Sequence, residues 1–342
     1  MKTSVLKKFT QSKIFQLIVI GAIVVIVTTI IQGNAYNKPN LRQIMNTITI
    51  NLIFVCAVAP LLMCGGIDWA GSAIGTAAMM VFAKLLQMFP GIPWPIMLLP
   101  LMISGAIIGA LNAFFIVKLN LVAFIATMAM STVISGITNW TVKGVQLQIT
   151  DKAFTGLSST FLFDMIPVFF IFALILVVFY SWMMMKTNLG RNIVMCGGNA
   201  AAARLAGINP QKIKTMLFIN SGVIASLGGA VWAAQNRMAT PTALMTTTPH
   251  MTAFIGALLG GVSFFGGSGS LGGAFFGVAL IQLLAYSLQT MGIPIWVNGL
   301  INGMLLIIAL TIDDIARRLR MKKLGLNSEG GGKGAVMPGM SK

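Results

Sequence analysis

The sequence predicts an all-α polytopic membrane protein of about ten transmembrane helices, and three observations carry that prediction. Apolar residues make up 57% of the chain against 8% charged, and the mean hydropathy is +0.90, outside the composition of water-soluble domains. The apolar residues fall in runs close to the roughly 20 residues that a helix needs to cross a bilayer. The 23 lysines and arginines punctuate those runs instead of interleaving with aromatic side chains, so the net charge of +17 does not point to nucleic acid.

In chain order the runs lie near 15–32, 44–64, 68–88, 95–117, 120–141, 163–185, 213–236, 250–267, 271–290 and 294–312. The first follows Lys2, Lys7, Lys8 and Lys13 as in a signal peptide, but it has no small-residue cleavage site and reads as an uncleaved span. An even number of spans returns both termini to one side. With residues 1–14, Lys118, the loop 186–214 and the basic tail 313–342 in the cytoplasm, 17 basic residues lie inside. Five, Lys38, Arg42, Lys143, Lys152 and Arg237, lie outside, the bias expected for a bacterial inner membrane protein; Lys84 snorkels from the end of a span. The transmembrane domain is then 15–312, with 142–162 the longest external loop and the Gly/Ser/Lys tail disordered from about 325.

Two Gly-rich stretches, near 64–75 and 260–273, read either as plain hairpins or as broken or re-entrant segments, which is where transporters expose backbone to solutes. The likeness of Leu61–Asp68 to Leu258–Ser263 suggests an internal duplication with both copies in the same orientation. Glycine pairs spaced by four (71/75, 105/109, 256/260, 273/277 and 299/303) allow close helix packing.

The longest polar interruption, Lys186 to Lys214, carries five basic residues and no acid. Within it Asn199 reads as the cap of a short helix that Ala200 to Ala203 propagate and Gly207 stops. A helix this short needs a surface to pack on.

These residues carry a family resemblance. Asn188-Leu189-Gly190-Arg191, Gly197-Gly198-Asn199 and Ala202-Ala203-Arg204-Leu205-Ala206-Gly207-Ile208 resemble the cytoplasmic loop of the simple-sugar permeases, ribose and galactose type, of ATP-binding-cassette (ABC) importers. Gly65-Gly66-Ile67-Asp68, Gly260-Gly261-Val262-Ser263 and Gly266 to Ser270 extend the likeness over residues 60 to 315. The sequence departs from the family pattern at Ala200, where a Glu is usual, and around Asp68, where Ile67 to Ser72 is one residue short. It departs again at Pro249 to Ala253, where an acidic stretch is common. The resemblance implies that the loop couples to a separate ATPase subunit, which holds the ATP and Mg²⁺ while this chain binds no cofactor. It also implies an extracytoplasmic sugar-binding protein, and a second permease copy or a homologous permease, in the surrounding lipid.

Enzymatic and metal readings fall away on composition. Gly267 to Gly272 matches a dinucleotide fingerprint in letters but follows an apolar helix, and Gly331 to Gly334 lacks the Ser or Thr of a phosphate loop. Six acids and one histidine assemble neither paired catalytic carboxylates nor a metal set, and Cys56, Cys64 and Cys196 suggest no disulfide framework. What remains at membrane depth is neutral and polar. Asn51, Asn112, Asn139, Asn220, Gln235, Asn236, Gln282, Asn298 and Asn302, with Thr127 and Ser131, suit sugar hydroxyls, or else hydrogen-bond between helices. Asp68 caps the following helix or lines the path. A secondary transporter or facilitator for a small neutral solute is the alternative, and the scarcity of buried ionisable relays argues against a proton-coupled form.

Overall fold

The computed structural model describes residues 13–294 and 296–323; the expectations for residues 1–12 and for the tail beyond 323 lie outside the described residues. The chain is helical nearly throughout. α1 (Lys13–Ile31), α2 (Lys38–Met63), α3 (Gly71–Met88) and α4 (Trp94–Ala113, prolonged by a π turn, Phe114–Lys118) precede α5 (Ala123–Val142). The short α6 (Lys152–Ser158) is followed by α7 (Val168–Lys186), α8 (Asn188–Gly198), α9 (Ala200–Leu205) and α10 (Pro210–Asn236). α11 (Ala243–Thr247), α12 (Pro249–Leu259), α13 (Leu271–Thr290) and α14 (Val297–Lys323) complete the order.

Among the described residues, eight helices are long and apolar enough to cross a membrane. α5 has the length, 20 residues, but its Thr, Ser and Asn side chains lower its apolarity. The eighth expected span, 250–267, is corrected: α12 stops at Leu259 after 11 residues. Gly261, Gly266, Gly267 and Gly269 then take positive φ, which ends the helix and turns the chain. Upstream, Thr248 sits in the left-handed region (φ 45°) between α11 and α12, so the span is a broken one running from Ala243 to Leu259. The stretch Cys64–Ala70 between α2 and α3 is likewise non-helical.

α2 starts six residues before the expected 44, because Asn37 caps it by accepting from the Asn40 N–H (3.0 Å) and Pro39 suits its first turn. The external loop 142–162 holds α6. It also supplies β1 (Leu147–Gln148), antiparallel to β4 (Met238–Ala239) with Leu147 opposite Ala239, and β2 (Phe161–Leu162), which pairs with β3 (Ile166–Pro167).

α10, about 40 Å long at 1.5 Å per residue, is the central post and packs on α2, α3 and α4. Glycine contact explains the fit. A methyl group at Gly105 would lie 2.3 Å from the Gly222 carbonyl oxygen, one at Gly229 2.1 Å from that of Gly75, and one at Gly277 2.0 Å from that of Gly256. Four of the five predicted glycine pairs are closed this way; Gly299 and Gly303 meet nothing within 4 Å. The α2–α3 and α12–α13 pairs bring their Gly-rich turns to the same end of the molecule, in keeping with a parallel duplication.

Candidate functional site

In the α8–α9 loop the short capped helix is built as expected, whereas Gly197 and Gly198, expected in a Gly-rich turn, close the helix α8. Asn199 Oδ1 accepts from the Ala201 and Ala202 N–H groups (3.0 Å each), and Gly207 (φ 79°) ends α9 with its N–H on the Arg204 carbonyl (3.0 Å). Ile208 N–H bonds the Ala203 carbonyl (3.0 Å), and Ala203 is fully buried while Ala202 faces out. Arg191 is held by Asn188 Oδ1, and a methyl group at Gly190 would strike the Met184 carbonyl at 2.2 Å. Arg204, Gly207 and Ile208 line an open cleft of about 420 Å³ with Asn209, Pro210 and Gln211.

Beneath the loop three stretches of backbone meet. A methyl group at Gly197 would lie 1.9 Å from the Met63 carbonyl oxygen and 2.8 Å from Gly267 N, while the Gly267 N–H donates to that same Met63 oxygen (2.9 Å). Gly266 touches Gly65 and Gly197, and Gly267 touches Gly198. The end of α2, the end of α8 and the α12–α13 turn therefore share one glycine junction. The buried thiols of Cys64 and Cys196 flank it, and burial pushes the Cys196 thiol up against the opposing pull of Lys214. Two features of this loop were not legible in the sequence. One is this junction; the other is Leu205, 92% exposed at the end of α9, an apolar side chain left uncovered on a loop otherwise polar or alanine-rich.

The polar candidates at membrane depth divide. Asp68 is buried. Its Oδ1 accepts from the Ala70 N–H (2.9 Å) at the entry to α3, its Oδ2 accepts from the Ser221 hydroxyl (2.7 Å) of α10, and its carbonyl meets His250 Nε2 (2.5 Å) of α12. Because a carbonyl only accepts, His250 Nε2 carries the proton, and Nδ1, buried beside Gly71, is left without a partner. Next to Asp68, the Trp69 N–H is held by Thr127 of α5 (2.9 Å). The non-helical 64–70 stretch is thus pinned by α5, α10 and α12, and the already suspected Thr127 is joined around Asp68 by Ser221 and His250, which the sequence did not single out.

Asn220 Oδ1 accepts from the Tyr180 hydroxyl (2.5 Å), leaving its Nδ2 unpartnered. Asn51 donates Nδ2 to the Thr47 carbonyl (2.8 Å) and leaves Oδ1 bare. Asn112, 1% exposed, has neither amide atom satisfied. Gln282 is half-buried on α13, and Asn298 and Asn302 lie half-buried on α14, whose main packing partner is α12; the structure does not bring these three into the Asp68 cluster.

Against known proteins, the family described as branched-chain amino acid transport system / permease component matches residues 40–310. The chain is similar to the galactose/methyl galactoside import permease MglC of Haemophilus influenzae, 30% identical over 82% of this chain and 87% of that one. The Escherichia coli protein of the same name is 31% identical over 81% and 86%. The ribose import permease RbsC of Escherichia coli is 28% identical over 87% and 92%. No solved structure matches. With four-fifths of its length covered by permeases and eight span-length apolar helices, the chain belongs to the branched-chain amino acid transport system permease component family and is a multi-pass membrane transport subunit, not an enzyme.

Proposed function

We infer that the chain is the inner-membrane permease of an ABC importer for a simple sugar, paired with a second permease copy and fed by an extracytoplasmic sugar-binding protein. A separate ATPase, carrying ATP and Mg²⁺, docks on the α8–α9 loop. The observation that carries the reading is the seat of that loop: a capped helix with an uncovered Leu205, resting through Gly197 on backbone that reaches both Gly-rich turns. A push on α9 is then delivered to the ends of α2 and α12 without passing through flexible side chains. The sugar class is supported by the relatives' names, galactose and ribose. The unsatisfied amides of Asn51, Asn112 and Asn220 are suited to hydroxyl groups, which need donors and acceptors together. The positive-inside bias supports a cytoplasmic position for the α8–α9 end.

The test is to purify the complex from a strain expressing the permease with its genetically linked ATPase. The ATPase is retained by the parent and lost when Arg204 or Leu205 is replaced by Glu; retention by both variants removes the docking assignment. A cysteine at Ala201 should resist a membrane-impermeant label in intact cells and react in inverted vesicles.

A further inference from the structure

The Gly260–Ser270 turn is gripped from both ends of the chain. The stem of Lys13, at the start of α1, packs so closely on Gly261 that a methyl group there would lie 2.9 Å from Lys13 Cδ. Asp313 of α14 accepts from the Phe264 N–H (2.9 Å) and the Ser263 hydroxyl (3.2 Å). One turn further along α14, the Arg317 guanidinium lies 4.1 Å over the Phe265 ring. The next two residues, Gly266 and Gly267, are the ones that touch Gly65, Gly197 and Gly198. Most of α14 is otherwise uncovered by the rest of the molecule, so this clasp and the contact with α12 set where its lower end lies.

α14 continues beyond Ile315, where its apolar span ends, to Lys323. Residues 317–323 carry five cations and no acid, and one of the five, Arg318, pairs with Asp314 (2.7 Å). A cationic helix end directly beside a bilayer surface is drawn to anionic headgroups. The rule that positive charge stays inside accounts for the cations but not for their attachment, through Asp313 and Arg317, to the turn that supports the α8–α9 loop.

We propose that anionic phospholipid headgroups bind the cationic end of α14 and thereby hold the Gly260–Ser270 turn against Gly197 and Gly198. Lipid composition then tunes how firmly the coupling loop is seated. That this loop couples rests on the proposed ATPase docking, whereas its seating on the junction is measurable on the permease alone.

Cys64 and Cys196, buried at the junction, are natural reporters: their maleimide labelling rates, assigned by peptide mapping, measure its opening. The purified permease is placed in nanodiscs of phosphatidylcholine alone or with about one-third phosphatidylglycerol. Phosphatidylglycerol slows labelling about fivefold in the parent, and roughly 0.5 M salt erases the difference by screening. The triple variant Arg320→Gln, Lys322→Gln, Lys323→Gln labels at one rate in both lipids. Asp313→Asn still binds fluorescent phosphatidylglycerol, yet its labelling no longer responds. Inorganic phosphate added to phosphatidylcholine discs changes nothing. Equal labelling of the parent in the two lipids, an unchanged lipid response in the triple variant or in Asp313→Asn, or a response to free phosphate overturns the proposal.

Discussion

Ser221 illustrates how much rests on one hydroxyl. It is fully buried and it satisfies Asp68 Oδ2, so Ser221→Ala leaves a carboxylate oxygen unpaired among apolar neighbours. The expected loss is about 1–3 kcal/mol, read as a lowered melting temperature in detergent, and it shrinks when Asp68→Asn is added. Asn112 presents the opposite case, because its two orphaned amide atoms already carry that burden. Asn112→Leu should raise thermal stability while reducing solute uptake; higher stability with unimpaired uptake would remove it from the path. The sequence identified both Asp68 and Asn112 as unusual because an acid or amide within an apolar run is conspicuous. It did not identify Ser221, Thr127 or His250 as Asp68's surroundings, since such partners lie 58 to 182 residues away and small hydroxyls are common in membrane helices.

For the elements, glycine spacing was legible and glycine partnership was not. Small-xxx-small pairs announce that a helix can be approached closely, but the partner is decided by topology: Gly105 meets Gly222, and Gly260 meets Gly273. The Gly197-Gly198 pair divides further. A methyl group at Gly197 would overlap the Met63 carbonyl at 1.9 Å, whereas one at Gly198 finds its nearest atom 3.7 Å away at Gly267. Uptake should therefore collapse in Gly197→Ala and stay near the parent level in Gly198→Ala, measured at matched membrane abundance. The broken span was half legible: glycines flagged its lower end, but nothing in Thr247-Thr248-Pro249 announced that Thr248 would adopt a left-handed conformation, because β-branched residues seldom do.

Across the whole molecule the charge bias separates two faces, and the face opposite α8–α9 carries a small electrostatic latch. Lys38 and Arg42 at the start of α2 grip Asp164, which joins β2 to β3, and Arg42 also lies 4.4 Å over the Phe161 ring. Hydrogen bonding from Lys38, then the charges of Lys38 and Arg42, hold the Asp164 carboxyl below the ordinary carboxylate range. The folded protein thus releases this proton more readily than the unfolded chain. The latch's contribution is complete above a pH of about 4, the ordinary carboxylate value, and is lost as pH falls through the lower folded value. Melting temperature followed from neutral pH to about pH 3 should fall less steeply in Asp164→Asn than in the parent, and identical acid limbs would mean that the latch is energetically silent. At this scale the apolar runs announced membrane residence, while of ten expected crossings eight are span-length apolar helices among the described residues, α5 falling short in apolarity and the 250–267 span being broken. That break bears on how movement is scaled. α12, anchored at its upper end where His250 meets Asp68, is a rod of 11 residues, about 16 Å at 1.5 Å per residue, parted from α11 by the left-handed backbone of Thr248. Swivelling it by about 10° sweeps Gly260 through roughly 3 Å while leaving the helix's own ladder intact. The upper end would scarcely register such a swing, yet at the far end it exceeds the 2.0 Å at which a methyl group on Gly273 would meet the Gly260 carbonyl oxygen.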